Sequence, residues 1–345
     1  MATSSMYVDE NVENRGCKGK MPVLRQTRSE RKVLGEIKNV IHTKQETKTT
    51  ANPQEETPIP KKVARENNFL NVTAYVNDIY KHLRRIEKKL LVSENHLEGQ
   101  QITEKTRAVL VDWLVKIQSH FQLLQETLQL TVHIIDSYIE KSKSVTNNNA
   151  QLIGLAAIFL ASKYEETDAL EVADLLFVCN EELQEHEILK AEGEILKCLD
   201  YNLGHPVPLH FIRRYSRVAG ATPAEHSLAK YISDMTLLDA AFCHVKPSMI
   251  AATSVVLAFC VARNKIHPEF WTVGLIHFST YKLSDFFDLI PKIATLIVDS
   301  SSSKLQSIRR KYSKAQSYCV SLMPGVQPVT GIINQFCEKS HSIIK

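Results

Sequence analysis

Seven cysteines and thirteen histidines are the side chains with which this 345-residue chain could do covalent or metal chemistry. A thiolate can attack a carbonyl or hold zinc, and an imidazole can move a proton. The spacing supports neither. The cysteines (Cys17, Cys179, Cys198, Cys243, Cys260, Cys319 and Cys337) are odd in number and form no Cys-x-x-Cys pair. That argues against a disulfide framework or a zinc site and for a reducing compartment. Cys243-His244 is an isolated pair and reads as packing. No HExxH, GxSxG or P-loop spacing occurs, so no metal, cofactor or catalytic constellation is expected. What remains is recognition chemistry. Arg31 and Leu34 stand three apart in Arg-Lys-Val-Leu, and Thr57-Pro58 is a minimal proline-directed phosphoacceptor.

The elements that must carry such residues divide sharply. The length suggests about two domains. The formal net charge is +4, and all of it lies in residues 1–66, with 13 Lys+Arg against 9 Asp+Glu. Residues 67–345 hold 29 of each sign. Residues 1–66 contain one aromatic, Tyr7, and a stretch with Pro53, Pro58 and Pro60. Such a segment buries too little apolar surface to offset its ordering entropy, so disorder is expected there. From Val76 the apolar residues Val76, Ile79, Tyr80, Leu83, Ile86 and Leu90 recur at helical spacing, with Lys81, Arg84, Arg85, Lys88 and Lys89 opposite.

Helix then follows helix. Thr103 is a plausible N-cap for Glu104–His120. The pattern predicts Glu126–Lys141, Asn149–Glu165, a short helix near Glu171–Val178, and Glu182–Asp200. After the breakers Gly204, Pro206 and Pro208 it predicts Leu209–Ala219, Pro223–Ala241, Pro247–Arg263, shorter helices around Pro268–Phe278, Leu283–Val298 and Lys304–Cys319. No period-two runs stand out, so the fold class is all-α. Residues 156–161 echo residues 251–258 at an offset of 95, hinting at two similar helical units. The uncharged runs at 144–162 and 247–262 are too short in their apolar parts to span a bilayer, and there is no apolar core of a signal peptide. A soluble protein without membrane contact is expected.

Arg107-Ala-Val-Leu-Val-Asp-Trp-Leu-Val-Lys-Ile117 closely resembles the first helix of the cyclin box, and Leu160-Ala-Ser-Lys-Tyr-Glu-Glu166 resembles the end of its third. Tyr75-Val-Asn-Asp-Ile79 is similar to the helix preceding the box in mitotic cyclins. Leu203 to Arg214 is similar to the B-type entry into a second box. The resemblance covers about 75–320 and is to the B-type mitotic cyclins. It implies two tandem five-helix boxes, at 99–203 and 204–300. They would be preceded by a disordered tail (1–66) and an N-terminal helix (67–98), and followed by a C-terminal helix and tail (301–345). It implies a regulatory subunit with no catalysis of its own. Its partner would be the catalytic subunit of a mitotic cyclin-dependent serine/threonine kinase, acting at the G2/M transition.

By that resemblance, Lys163 and Glu192 meet the kinase helix that carries the Glu partner of the ATP-binding Lys. Leu160, Tyr164, Leu196, Tyr201 and Leu203 form the apolar surround, with Tyr75 and Ile79 contacting the kinase from the preceding helix. Arg107 and Asp136 form a structural salt bridge. Val109, Leu110, Trp113 and Gln151 match a groove that docks Arg-x-Leu peptides of kinase substrates. Three departures (Thr106 for Met, Ala150 for a larger aliphatic, Lys116 for an acid) imply weak or altered docking. Arg31, Leu34, Ile37 and Asn39 resemble an extended destruction box, implying ubiquitin-mediated proteolysis through the anaphase-promoting ubiquitin ligase. Lys32, Lys38, Lys44 and Lys48 are within reach as acceptors. Residence in nucleus and cytoplasm, nuclear in mitosis, is the expected localisation. The neutral body argues against the competing reading of a promoter-binding helical factor, since phosphate neutralisation needs a basic surface, so no nucleic acid is expected. The destruction box and the Tyr75–Ile79 helix favour a mitotic over a transcriptional cyclin. Against an all-α enzyme stands the absence of any catalytic constellation.

Overall fold

Local capping explains where most helices begin. In the computed structural model, which describes residues 75–179, 182–264 and 268–326, Thr103 Oγ1 accepts from Thr106 N at 3.1 Å and opens α2 (Glu104–Phe121). Before it lies α1 (Val76–Glu87), and after it come α3 (Gln125–Lys141), α4 (Ala150–Glu165), α5 (Val172–Val178) and α6 (Glu185–Cys198). The second series is α7 (Pro208–Ala219), α8 (Pro223–Met235), α9 (Pro247–Arg263), α10 (Val273–Ser279) and α11 (Leu289–Asp299), followed by a short α12 (Ser307–Tyr312). Proline stands at the first turn of α7, α8 and α9, where its missing N–H removes no helical bond. A reciprocal Thr222–Glu225 capping box fixes the start of α8. Among the described residues there is no strand.

Two helices are wrapped on all sides. In α4 the residues Ala156, Ala157 and Ala161 are buried, and in α9 so are Ala251, Ala252 and Ala258. These small residues let α2, α3 and α6 close on α4, and α7, α8 and α11 close on α9. The repeat offset seen in the sequence is therefore the offset between two hub helices. Each hub centres a five-helix unit, α2–α6 and α7–α11. Among the described residues no helix is long and apolar enough to cross a membrane.

The two units are stapled by buried polar groups. Asp234 on α8 is fully buried and accepts from Gln125 Nε2 (2.6 Å) and Gln129 Nε2 (3.0 Å) on α3. Its other oxygen takes Tyr312 OH (2.8 Å) and Lys311 Nζ (2.9 Å) from α12. Asp112 on α2 accepts from Ser307 N and Oγ at the start of α12, at 2.9 and 2.7 Å. Gln129 Oε1 accepts Leu209 N at the start of α7 (3.1 Å). Asp112, Asp234 and Gln129 are buried groups with partners for their polar atoms, the condition under which such networks add rigidity.

Three predicted helices are shorter than their patterns, among them Leu283–Val298, which opens as a 3-10 turn at Leu283–Phe286 before α11. The segment read as one helix over Pro223–Ala241 leaves α-geometry at Met235 and tightens into 3-10 turns at Thr236–Leu238 and Ala240–Phe242. The break exposes the Leu237 carbonyl to Arg107 Nη1, 2.9 Å away. Lys304–Cys319 reduces to α12, with Tyr318 and Cys319 left-handed beyond it.

Candidate functional site

The end of α4 and the length of α6 form one exposed face. Lys163 Nζ and Glu192 Oε1 are 2.6 Å apart, joining the two helices across 29 residues. The same ammonium sits 3.7 Å from the centre of the Phe159 ring. With three donors, one bound to Glu192 and one side against a ring, Lys163 keeps a donor free for a partner. Its side chain is 44% exposed, so this pair is a pre-set anchor rather than a core staple. Tyr164, the next residue, is exposed, and its hydroxyl lies 3.0 Å from where a Cβ on Gly204 would stand. That brings the Tyr164 hydroxyl to Gly204, the residue after Leu203. Leu196 and Leu203 are half-buried.

Tyr201 is 68% exposed, and both it and Asp200 adopt left-handed backbone, with φ of 57° and 51°. Two successive non-glycine residues in this region cost roughly 1–2 kcal/mol each. The turn is held by Tyr201 N donating to Leu196 O (2.9 Å) and Asn202 N to Leu199 O (3.0 Å). The strain delivers Tyr201 to solvent next to Leu196. The local signal is weak: Asp200 tolerates left-handed backbone better than most residues, and Tyr201 does not. Leu160, expected in the apolar surround, is 3% exposed and belongs to the core beneath this face. Its contribution is packing, because its place on α4 faces inward with Ala157 and Ala161.

The α1 helix leaves Tyr75 and Ile79 exposed, at 63% and 43%. Its opposite side is tied to the second unit. Tyr80 OH donates to His210 O (3.0 Å), and Arg84 Nη1 to Phe278 O (2.6 Å). Glu87, fully buried, accepts Ser248 N (3.0 Å) and Ser248 Oγ (2.7 Å) at the start of α9. The helix end favours a carboxylate there. Burial nevertheless raises the Glu87 carboxyl above its ordinary value, against the Ser248 hydrogen bonds and the charges of Lys246 and Arg84.

Between α2 and α4 lies the region expected to dock peptides. Gly154 lets the helices approach, a Cβ there falling 2.8 Å from Leu110 Cδ1. Trp113, Val109 and Gln151 are partly exposed around this contact. Leu110 is 1% exposed and offers no surface, a correction to its expected place in the groove. Lys116 stands exposed at the rim, 3.9 Å from Asp112.

Arg107 and Asp136 are both buried and paired twice, Nε to Oδ1 and Nη2 to Oδ2, each at 2.6 Å. Burial would raise the Asp136 carboxyl, but the Arg107 guanidinium, helped by His96, overrides it and holds it down to about 2. A chain Cys243–His96–Asp136 also exists, with Sγ 3.1 Å from His96 Nδ1 and His96 Nε2 3.5 Å from Asp136 Oδ1. It imitates a nucleophilic triad. Burial and the nearby Asp136 charge push the Cys243 thiol up to about 12, so it stays protonated, and Asp136 is already committed to Arg107. Among the described residues no group of His, Cys, Asp and Glu could hold a metal.

With this geometry established, comparison with known proteins is decisive. Residues 78–204 match the family "Cyclin, N-terminal domain" and residues 206–325 match "Cyclin, C-terminal domain". The chain is 38% identical over 253 residues to G2/mitotic-specific cyclin-B of Patella vulgata, an alignment covering 73% of this chain and 61% of that protein. It is 37% identical over 270 residues to G2/mitotic-specific cyclin-B2 of Oryzias luzonensis, covering 78% and 68%. The chain belongs to the B-type mitotic cyclins. In fold it is similar to a viral cyclin from herpesvirus saimiri, with TM-score 0.58, 19% identity, and coverage of 67% of this chain and 99% of that one. The all-α class with two tandem cyclin boxes is thus shown. This cyclin spans about six-tenths of the Patella relative's length.

Residues that sequence reasoning missed in this cyclin are the staples Asp112 and Asp234 and the exposed Phe177 and Leu189. An acid inside an apolar run, as in Val111-Asp112-Trp113, was the available signal for the first. The destruction-box residues Arg31, Leu34, Ile37 and Asn39, the acceptor lysines and Thr57 lie outside the described residues.

Proposed function

We propose that this cyclin is the regulatory, non-catalytic subunit of a mitotic cyclin-dependent serine/threonine kinase. The observation that carries the reading is the Lys163–Glu192 pair, set in an exposed face with Tyr164, Leu196, Tyr201 and Leu203. Such a face can grip an amphipathic helix through its apolar stripe, while Lys163 and Glu192 meet the polar groups at the stripe's edge. The kinase helix bearing the Glu partner of the ATP-binding Lys is the ligand this face suits. Tyr75 and Ile79 would add a second contact, from α1.

Activation then follows from differential affinity. The cyclin binds the kinase state in which that helix lies inward and the Lys–Glu ion pair is formed, and so shifts the population toward it. A shift from 1:99 to 99:1 needs about 5.5 kcal/mol of difference. A rigid face can supply that, because little binding energy is lost to ordering it. Val109, Trp113 and Gln151 would contact kinase substrates, with Lys116 disfavouring a basic ligand residue. Arg31, Leu34, Ile37 and Asn39 would present the chain to the anaphase-promoting ubiquitin ligase. Nuclear and cytoplasmic residence, nuclear in mitosis, completes the proposal.

The test is reconstitution. The chain is purified with a mitotic cyclin-dependent kinase catalytic subunit, and histone phosphorylation is measured. Lys163→Ala/Glu192→Ala is expected to lower complex formation at least tenfold while leaving the circular dichroism and melting of the free chain near wild type. Full activation by the double variant would refute the site.

A further inference from the structure

Where α1 crosses the second box there is a cleft of about 600 Å³. Its walls carry Lys81, Arg84 and Arg85 from α1, Lys88 at its C-cap, Arg214 from α7, and Lys246 at the N-cap of α9. The α1 cations recur at spacings of three and four, so they form one stripe, on the flank away from Tyr75 and Ile79. One acid, Glu87, lies at the floor, and Ser248 occupies both its oxygens. Among the described residues, none of the six cations has a carboxylate within ion-pair distance.

Elsewhere among the described residues several cations are matched, Arg213 by Glu126, Arg263 by Glu225 and Lys163 by Glu192. Here the matching is replaced by positioning. Arg84 is held by the Phe278 carbonyl, and Arg214 lies 4.2 Å from the Phe278 ring centre. Both contacts orient a guanidinium without neutralising it. The body as a whole is charge-balanced, so this concentration is local. Six like charges around one concavity repel each other, and a bound dianion relieves that repulsion while accepting charge-assisted hydrogen bonds.

We propose that this cleft binds a phosphorylated serine or threonine side chain presented by an extended segment of another protein. The inference rests on the kinase-regulating role above, whose products are such side chains, and the cleft lies on the flank of α1 away from Tyr75 and Ile79. A phosphodiester backbone is the poorer fit. It needs a basic track many nucleotides long, whereas this charge is confined to a concavity floored by Tyr80 and Tyr281 and set in a neutral body.

The experiment is fluorescence anisotropy on the full chain, alone and in complex with its kinase. The probe is a labelled acidic peptide with one phosphothreonine, and the control is its unphosphorylated twin. The phosphopeptide is expected to bind at least tenfold more tightly than the twin. That preference should vanish in Lys81→Glu/Lys88→Glu, whose residues are exposed, and weaken in Lys246→Gln. Equal affinity for both peptides, or a phosphopeptide preference that survives Lys81→Glu/Lys88→Glu, would overturn the proposal. So would a single-stranded oligonucleotide that binds more tightly at physiological salt, or inorganic phosphate that displaces the peptide at the peptide's own concentration. Histone-kinase activation measured on the same samples separates the two readings. A cyclin that activates its kinase and ignores the phosphopeptide refutes only the cleft, and one that fails to activate refutes the regulatory role.

Discussion

Removing either member of the Arg107–Asp136 pair should cost more than removing both. Arg107 makes three hydrogen bonds, two to Asp136 on α3 and one to the Leu237 carbonyl of the second box. Arg107→Met strands a buried carboxylate and an unsatisfied carbonyl. Breaking one side of such a pair costs about 3–5 kcal/mol, and the lost carbonyl bond adds roughly 1 kcal/mol. Against a total stability of ~5–15 kcal/mol, that is a third or more. Asp136 gives an independent figure. Its carboxyl drops from 3.8 to about 2, which at 1.36 kcal/mol per unit is about 2.5 kcal/mol. The depressed value means this term is fully present above pH 3.8 and is lost as pH falls toward 2. In Arg107→Met the surviving Asp136 is left to burial, which raises its carboxyl. That variant should therefore regain ground on wild type as pH falls from 7 to 4, because folded Asp136 takes up a proton before the unfolded chain does. Urea unfolding of the full chain at pH 7 and pH 4 measures the cost of each variant and the ground that Arg107→Met regains. Arg107→Met and Asp136→Asn should each lose at least 3 kcal/mol at pH 7, and Arg107→Met/Asp136→Leu should lie closer to wild type than either. Singles within about 1 kcal/mol of wild type, or a double variant as weak as their sum, would refute the reasoning.

Three further outcomes can be checked. His133 and His205 stack at 3.5 Å, and burial holds His133 at about 4 against the pull of Asp136 and Glu140, while His205 is lowered by burial and by His133 and His210. Both are held below the unfolded 6.5, so their neutral forms stabilise the fold above that pH. About 2–3 kcal/mol should be lost between pH 6.5 and 4, the partial exposure of His133 trimming the full shift, and His133→Gln should flatten that slope in urea titrations. Gly325→Ala places a Cβ 2.5 Å from the Val261 carbonyl oxygen, so roughly 1–3 kcal/mol should be lost, with faster proteolysis after Met323 than in wild type. A standard Arg-x-Leu peptide should bind this cyclin weakly, and Lys116→Glu should tighten it about tenfold by calorimetry. Tight binding by the wild-type chain, abolished by Trp113→Ala, would contradict the reading of that groove.

Helix starts were legible because they are written locally. Thr103, Thr222 and the first-turn prolines act on neighbours one to three residues away. The end of α8 was not, because the group that claims the Leu237 carbonyl is Arg107, 130 residues earlier. The same distance hides the partners of Asp112 and Asp234, whose hydrogen bonds come from 77 to 195 residues away. The family resemblance placed Leu110 in the docking groove and Leu160 in the apolar surround of the kinase-facing site. Which neighbour covers each residue is a tertiary fact, and it buried both. Tyr201 fails for another reason. Its exposure depends on a left-handed turn that Asp200 and Tyr201 adopt against their own preference.

Those non-local groups bear on function through rigidity. A subunit that selects one state of its partner can shift the equilibrium only by the difference in binding energy between states, less whatever it loses by deforming to suit both. The exposed Lys163–Glu192 face is hung on α4, whose neighbour α3 is joined to α8 and α12 through Asp234 and to α7 through Gln129. The α1 helix, carrying Tyr75 and Ile79, is joined to α9 through Glu87 and Ser248. Each proposed contact region is thus backed by buried polar contacts to the second box. Weakening Asp234 should loosen the relative placement of the two regions, and so reduce kinase activation more than it reduces binding to either region alone. Asp234→Asn keeps the shape but loses the charge facing Lys311. Its loss of activation should exceed its loss of affinity for a peptide copy of the kinase helix. Equal losses in the two assays would place the selectivity in the face itself, with no role for the framework behind it.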